Sequence, residues 1–374
     1  MPMANPSSLN PPVVPALTLE CCHHRQARLR EALHALDLRG AVITDRRHVH
    51  YFTGHWSRFV HNPVVWIDRD GPTILALPGP ADHGVAAEEI CVYPSNDDCT
   101  LVDDQRGSAL HTLQGAWVNV ERIGCDGPLW PQWTGAAQVV NLMDTLRTLR
   151  RCKDADEVAL LSFALDASEK AYAHARQIIK PGLDETELWA QLQYIIAEHI
   201  GETTGELGND FQVGAIGNAP RRREMQTGEI AIIDLGVMVR GYNGDMCRSI
   251  VVGGEPSPKQ ERAHQHILEA IAFIEATVKP GISCKSLFAQ VQMMLDGFEG
   301  FSFRHHLGHG IGMNPHEAPR LNRLHDDHFA IGDLFTAEPG LYGHDLRAGI
   351  RIEHAYHLTK HGLVKLTNST AELV

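Results

Sequence analysis

The sequence predicts a two-domain protein of mixed α/β (α+β) class, and three observations lead there. At 374 residues the chain is longer than one compact domain usually is. Short apolar runs of strand character alternate with longer segments of helical period. A helix-turn-helix segment also occurs twice. Ile179-Lys-Pro-Gly-Leu-Asp-Glu-Thr-Glu-Leu-Trp-Ala-Gln-Leu192 aligns with Val278-Lys-Pro-Gly-Ile-Ser-Cys-Lys-Ser-Leu-Phe-Ala-Gln-Val291, 99 residues further on, with Lys, Pro, Gly, Leu, Ala and Gln in register. In each copy a helix stops, Pro-Gly turns the chain, and Asp184 or Ser283 is placed to cap the next helix. The period is far too long for a solenoid. It predicts two related half-domains with a cleft between them.

Residues 1–20 are rich in Pro, Ser and Asn and read as a loose arm; they lack the basic start and apolar core of a signal peptide. Residues 21–150 read as an α/β domain. A helix over Arg25–Leu36 precedes an apolar strand, Gly40–Thr44. Val64–Ile67 and Thr73–Leu77 then form a hairpin about Asp68-Arg-Asp-Gly71. The charged segment Arg147–Asp154 marks the boundary with residues 151–374, which open on a long helix from Asp154 to about Ile179. Gly228–Asp234 reads as a buried strand ending in a carboxylate, with Ser249–Gly253 as its return partner. Asp333–Glu338 and Gly349–Glu353 again put acids at strand positions.

The formal net charge of -13 argues against a nucleic-acid or anionic-membrane surface. No run of 18 or more apolar residues suggests a membrane span. Eight cysteines are scattered without a Cys-x-x-Cys pair, so a structural zinc site is not expected. Free thiols in a reducing, cytoplasmic setting are.

The chemistry concentrates in the second domain. Asp234 closes the apolar run Ile230-Ala-Ile-Ile, and Glu338 and Glu353 have similarly apolar neighbours. A lone carboxylate in a buried strand costs several kcal/mol unless something compensates it. Several such acids, together with a histidine in a glycine-rich loop, are explained more simply by a shared divalent metal site. Four carboxylates and one imidazole suit Mn, Fe, Co or Zn in a bridged pair. The loop is Arg304-His-His-Leu-Gly-His-Gly-Ile-Gly-Met-Asn-Pro-His-Glu317, holding His305, His306, His309 and His316. Its spacing fits neither a dinucleotide fingerprint nor a phosphate loop, and its glycines read as room for close backbone approach. His306 reads as a plain packing residue. No Gly-x-Ser-x-Gly elbow and no His-Glu-x-x-His helix is present.

These blocks resemble the creatinase, aminopeptidase P and prolidase family of pita-bread metallopeptidases. Asp234 and Asp245, with Asp245-Met-Cys-Arg-Ser249, look like its metal motif. Gly308–Gly312 with His316-Glu-Ala-Pro319 resembles its His block, and Thr336–Tyr342 and Gly349–Glu353 its two Glu blocks. Arg47-His-Val-His-Tyr-Phe-Thr-Gly54 resembles the extra N-terminal domain of the prolidase and creatinase branch. The resemblance implies a C-terminal pita-bread fold with a pseudo-two-fold repeat behind a creatinase-like α/β domain. It implies two divalent ions, manganese foremost and Co, Fe or Zn as alternatives. Asp234 would bind one ion, His309 and Glu338 the other, and Asp245 and Glu353 both. A bridging water of lowered pKa would attack a carbonyl. Glu338 would serve as general base, His316 as hydrogen-bond donor to oxyanion or substrate, and His305 as a further catalytic residue. Arg351 would hold a ligand carboxylate or substrate. A homodimer is implied as well.

One departure stands out. Prolidase-like members carry a Pro-His pair before the first ligand strand, where this sequence has Gly217-Asn-Ala-Pro-Arg-Arg-Arg-Glu224. Arg221, Arg222 and Arg223 are read either as a carboxylate-binding wall at the cleft, with Arg221 touching substrate, or as a solvated turn. The resemblance therefore does not by itself carry cleavage before proline. Two functions stay open: an Xaa-Pro-type aminopeptidase or dipeptidase acting on peptides, and a hydrolase or lyase of the same fold acting on a small zwitterion, like ectoine hydrolase, creatinase or dimethylsulfoniopropionate lyase.

Overall fold

The computed structural model describes residues 13–57, 61–81, 83–93, 104–205, 207–208 and 210–374. Backbone contacts divide these into two compact units, Ala16–Arg150 and Arg151–Val374, the second joined by the residues just before Ala16. Most of the arm expected over residues 1–20 lies outside the described residues, and Leu19 already opens a helix.

The first unit runs α1 (Leu19–Ala35), β1 (Gly40–Ile43), α2 (Arg46–Thr53), β2 (Val64–Asp68), β3 (Thr73–Leu77), β4 (Glu89–Val92), α3 (Gln105–Leu113), β5 (Arg122–Cys125), α4 (Pro131–Thr134), β6 (Gln138–Asn141) and α5 (Met143–Arg151). Among the described residues its strands form one sheet, β4-β3-β2-β1-β5-β6. β2 and β3 make the antiparallel hairpin read from the Asp68–Gly71 turn, and β5 lies parallel to β1. Both faces of β1 and β2 are buried, which is why their sequences are continuously apolar rather than alternating. Val42, Val64, Trp66 and Ile123 pack with Leu110 and Leu113 of α3 and with Trp117. Helix α1 begins at Leu19 rather than Arg25 because the Thr18 hydroxyl accepts the Cys21 N–H and caps it.

The second unit runs α6 (Ala155–Ile178), α7 (Glu185–Ile200), β7 (Ile230–Leu235), β8 (Met238–Val239), β9 (Tyr242–Asn243), β10 (Met246–Val251), α8 (Pro258–Thr277), α9 (Cys284–Leu295), β11 (Gly308–Gly310), β12 (Glu317–Leu321), β13 (Leu334–Ala337), β14 (Gly340–Gly343), β15 (Ala348–Arg351), β16 (His354–Thr359) and β17 (Gly362–Lys365). The repeated segments are the turns of two helix pairs, α6–α7 and α8–α9. Asp184 caps α7 by accepting the Thr186 N–H, and Ser283 caps α9 by accepting the Ser286 N–H. Each pair is followed by strands: β7 and β10 pair antiparallel with Asp234 opposite Cys247, and β12-β11-β13-β16-β17 form a sheet. Glu338 and Glu353 lie just past the ends of β13 and β15, not within them. Their backbone N–H groups still bond across, to Leu307 O at 2.8 Å and Cys247 O at 3.0 Å. Arg248, buried in β10, donates to the carbonyls of Cys247, Glu353, Ser369 and Thr370. Arg176 of α6 holds the carbonyls of Thr370, Glu372 and Val374.

A buried polar network braces the first unit where β1 meets α2. The Asp126 carboxylate accepts the backbone N–H groups of Thr44 and Asp45 and the Nδ1 of His48, each at 2.9 Å. Arg150 donates to His48 Nε2, which fixes the proton on Nδ1. Asp126→Ala would strand these donors together and should cost about 3–5 kcal/mol, read as a lowered urea midpoint.

Candidate metal centre

Five side chains converge in the second unit. Asp234 comes from β7, Asp245 from the residue before β10, His309 from the middle of β11, Glu338 from the end of β13, and Glu353 from the junction of β15 and β16. His309 Nε2 lies 3.8 Å from Asp245 Oδ2 and 3.7 Å from Glu338 Oε1. Ligand-type atoms of Asp245, His309 and Glu353 all lie within 4.8 Å of one another, and Asp234 is close enough to Asp245 to share a hydrogen bond. Gly310, beside His309, has no space for a side chain, since a Cβ there would fall 2.1 Å from Ala318 O. A larger residue would push β12 off β11 and move the imidazole.

The electrostatics are those of a site built for cations. Burial, then repulsion from Glu353, Asp234 and Glu338, pushes the Asp245 carboxyl well above the usual range. Glu353 rises likewise from burial and the charges of Asp234 and Glu338. Burial lifts Asp234 to about 6, although Arg351 opposes the shift. Glu338 behaves differently. Burial works to raise it, but the His306 hydrogen bond and the nearby His305 and His309 hold it at about 2. Burial keeps His309 neutral, down at about 4. Its Nδ1 faces Gly310 O at 3.2 Å, so Nε2 presents a lone pair to the acids. The second carboxylate oxygen of Glu353, Oε2, is buried and has no hydrogen-bond partner among the described residues. A buried, unsatisfied carboxylate oxygen among like charges is what a divalent cation would satisfy, and four carboxylates with a neutral imidazole fit such an ion.

The other histidines surround Glu338. His306 Nε2 lies 2.8 Å from Glu338 Oε1, so His306 is not the packing residue expected. Burial lowers its pKa, but the hydrogen bond and charge of Glu338 outweigh that and raise it. His305 is tethered by Nε2 to the Tyr342 hydroxyl at 2.6 Å and by Nδ1 to His306 O at 2.7 Å. His316 stacks on His309 with ring centroids 3.8 Å apart. The loop carrying His316 is braced from two sides. Asn243 donates its N–H and Nδ2 to Gly312 O, and the buried Lys153 lies 3.6 Å from Glu317. Arg351 donates to Asp234 Oδ2 at 2.8 Å and, more closely, to Asp210. One guanidinium nitrogen, Nη2, thus serves both acids, one of them a candidate ligand. Sequence reasoning overlooked Asp210 and gave no role at the site to His306 or Tyr342. Tyr342 closes the first Glu block and His306 stands in the His-rich loop, whereas Asp210 lies in none of the quoted motifs.

Two of the three clustered arginines are paired within the scaffold. Arg221 is no free carboxylate reader: its guanidinium grips Glu185, a fully buried acid at the start of α7, with Nη2 at 2.7 Å and Nε at 3.0 Å. Arg223 pairs with Glu229. Arg222 is exposed. Two buried acids of the scaffold, Glu185 and Glu229, take the charge of Arg221 and Arg223, so neither the carboxylate-binding wall nor the solvated turn describes these two.

Residues 159–360 match metallopeptidase family M24, and residues 25–158 match the creatinase/prolidase N-terminal domain. The chain belongs to metallopeptidase family M24, and its second unit has the pita-bread fold. It is 30% identical over 235 residues to the Xaa-Pro dipeptidase of Pyrococcus horikoshii, spanning 62% of this chain and 66% of that protein. It is 32% identical over 248 residues to the putative dipeptidase YkvY of Bacillus subtilis, spanning 64% and 67%. Among solved structures, the prolidase from Pyrococcus horikoshii superposes with a TM-score of 0.76 at 22% identity, over 94% of this chain and all of the other. The Xaa-Pro dipeptidase from Bacillus anthracis does so with 0.78 at 22%, over 94% and 99%. No helix among the described residues is long and apolar enough to cross a membrane.

Because Arg221 serves Glu185, Arg221→Ala is expected to lower stability by about 1–3 kcal/mol. It should leave the KM for short peptides unchanged. Parallel melting and steady-state measurements distinguish this from a substrate contact, which would raise KM without a loss of stability.

Proposed function

We propose that Asp234, Asp245, His309, Glu338 and Glu353 hold two divalent ions, and that the chain removes the N-terminal residue of Xaa-Pro peptides as a dipeptidase or aminopeptidase. The observation that carries this reading is the convergence of Asp245, the neutral His309 and Glu353, adjoined by Glu338 and Asp234, in a site where Glu353 Oε2 has no hydrogen-bond partner among the described residues. The relatives named Xaa-Pro dipeptidase support the substrate class. By the family resemblance, Asp234 would serve one ion, His309 and Glu338 the other, and Asp245 and Glu353 would be shared between them. When bound, such a pair supplies Lewis acidity and brings the ionisation of water toward neutral pH.

The chain's own groups do the rest. The Glu338 carboxylate takes a proton from the attacking water and returns it to the departing amine. His316, on its braced loop, donates a hydrogen bond to the oxygen of the scissile carbonyl. His305, held between Tyr342 and the His306 carbonyl, keeps a fixed imidazole 3.7 Å from Glu338 Oε2. Manganese is the first candidate ion, with Co, Fe and Zn as alternatives. The described cysteines are free, which suits a reducing cytoplasmic location, and a homodimer follows from the family resemblance. The small-zwitterion reading loses one of the two features that favoured it, since Arg221 and Arg223 are already paired; the other is the missing His of the Pro-His pair.

Loading the chelator-treated protein with Mn, Co, Fe or Zn and assaying each form tests this reading. Xaa-Pro dipeptides should be cleaved faster than dipeptides lacking proline or betaine-like amides. Turnover of the amides alone would overturn the peptidase assignment. Asp245→Ala should lose both ions, counted by elemental analysis, together with activity. A variant retaining two ions and full turnover would remove Asp245 from the centre.

A further inference from the structure

We propose that Asp210, outside the five-residue set, is a positioning residue for the metal centre, sharing Arg351 with Asp234 and so setting how Asp234 meets its ion. The inference rests on the proposed role of Asp234 as a ligand.

Arg351 is the cation inside this cluster of acids, and its side chain is only 8% exposed. Its Nη2 donates both to Asp234 Oδ2 at 2.8 Å and to Asp210 Oδ2, the closer of the two. The other nitrogens face Cys247 Sγ at 3.4 Å and the Tyr342 hydroxyl at 3.5 Å. One buried guanidinium is thus divided between two carboxylates. Asp210 is itself firmly placed. Its Oδ1 accepts the Asn218 N–H at 2.6 Å, and its backbone carbonyl accepts the Asp234 N–H at 3.0 Å, which sets the two acids side by side. A Cβ on Gly217 would fall 2.5 Å from the Asp210 carboxylate, so the loop closes over that group only because residue 217 has no side chain.

The physical role follows from this division. A carboxylate that is the sole partner of a buried guanidinium is a poor donor to a metal, because its charge is already matched. By taking the closer share of Arg351, Asp210 leaves Asp234 oriented by one hydrogen bond but with charge to spare. Without Asp210, the guanidinium settles wholly on Asp234, and the ion on that side weakens. The ion held through His309 and Glu338 is not touched by this exchange.

Calorimetric titration of the chelator-dialysed full chain with manganese(II) tests the proposal, with melting curves to confirm folding. Asp210→Asn is expected to raise one of the two dissociation constants about 10- to 100-fold and to leave the other within about twofold. Asp210→Glu keeps the charge but changes the reach, and should move the same constant; if Asp210→Asn does not fold, this variant decides the matter. In an Arg351→Lys background, Asp210→Asn should add no more than about twofold. Unchanged constants would overturn the proposal. So would equal losses in both backgrounds, or a Glu variant indistinguishable from wild type, since each would mean a through-space charge effect. A wild-type chain that takes up no manganese would instead overturn the metal reading, and this inference with it.

Discussion

Like charge in a dry space governs the second unit. Ligand-type atoms of Asp245 and Glu353 lie within 4.8 Å of each other and of His309, with Asp234 and Glu338 adjoining. Two unit charges about 4–5 Å apart repel by roughly 3–4 kcal/mol at an effective dielectric of about 20. Such repulsion spreads a structure unless the backbone forbids it. Here it does: β7, β10, β13 and β15 are almost wholly buried, and their apolar side chains join the core formed with α8 and α9. The walls are rigid because they are hydrophobic, and rigidity is what lets the acids stay crowded. Arg351 relieves part of the stress, and the neutral His309 adds none.

Much of this could be read from the residues because the conflict is local. An acid next to Ile-Ala-Ile-Ile, or just past Leu-Phe-Thr-Ala, is anomalous in any buried strand. The helix pairs were readable for a similar reason, since Pro-Gly followed by a capping residue is a local instruction. The strand ends were not. Glu338 and Glu353 keep extended, bonded backbone beyond the regular ladders, and composition does not mark where a ladder stops.

What the residues hid depends on distant partners. Three consecutive arginines suggest an anion site or a wet surface, and nothing nearby in the chain announces that Glu185, 36 positions earlier, is buried and needs one of them. Asp210 sits in a loop of ordinary polar composition and gains meaning only from Arg351, 141 positions later. His306 reads as a neighbour of more interesting histidines until its distance to Glu338 is known. In each case the sequence displays the charge and the fold supplies its counterpart.

Arg248 gives Ser369 and Thr370 an unexpected importance. The same guanidinium that holds the Glu353 carbonyl also holds those of Ser369 and Thr370, while Arg176 secures the carbonyls out to Val374. Residues 369 and 370 are therefore mechanical backing for a wall of the acidic cluster. For anyone engineering this protein, residues 369 and 370 are a poor place for an inserted handle or a surface tether, because a load applied there reaches the backbone of Glu353 through the buried guanidinium of Arg248.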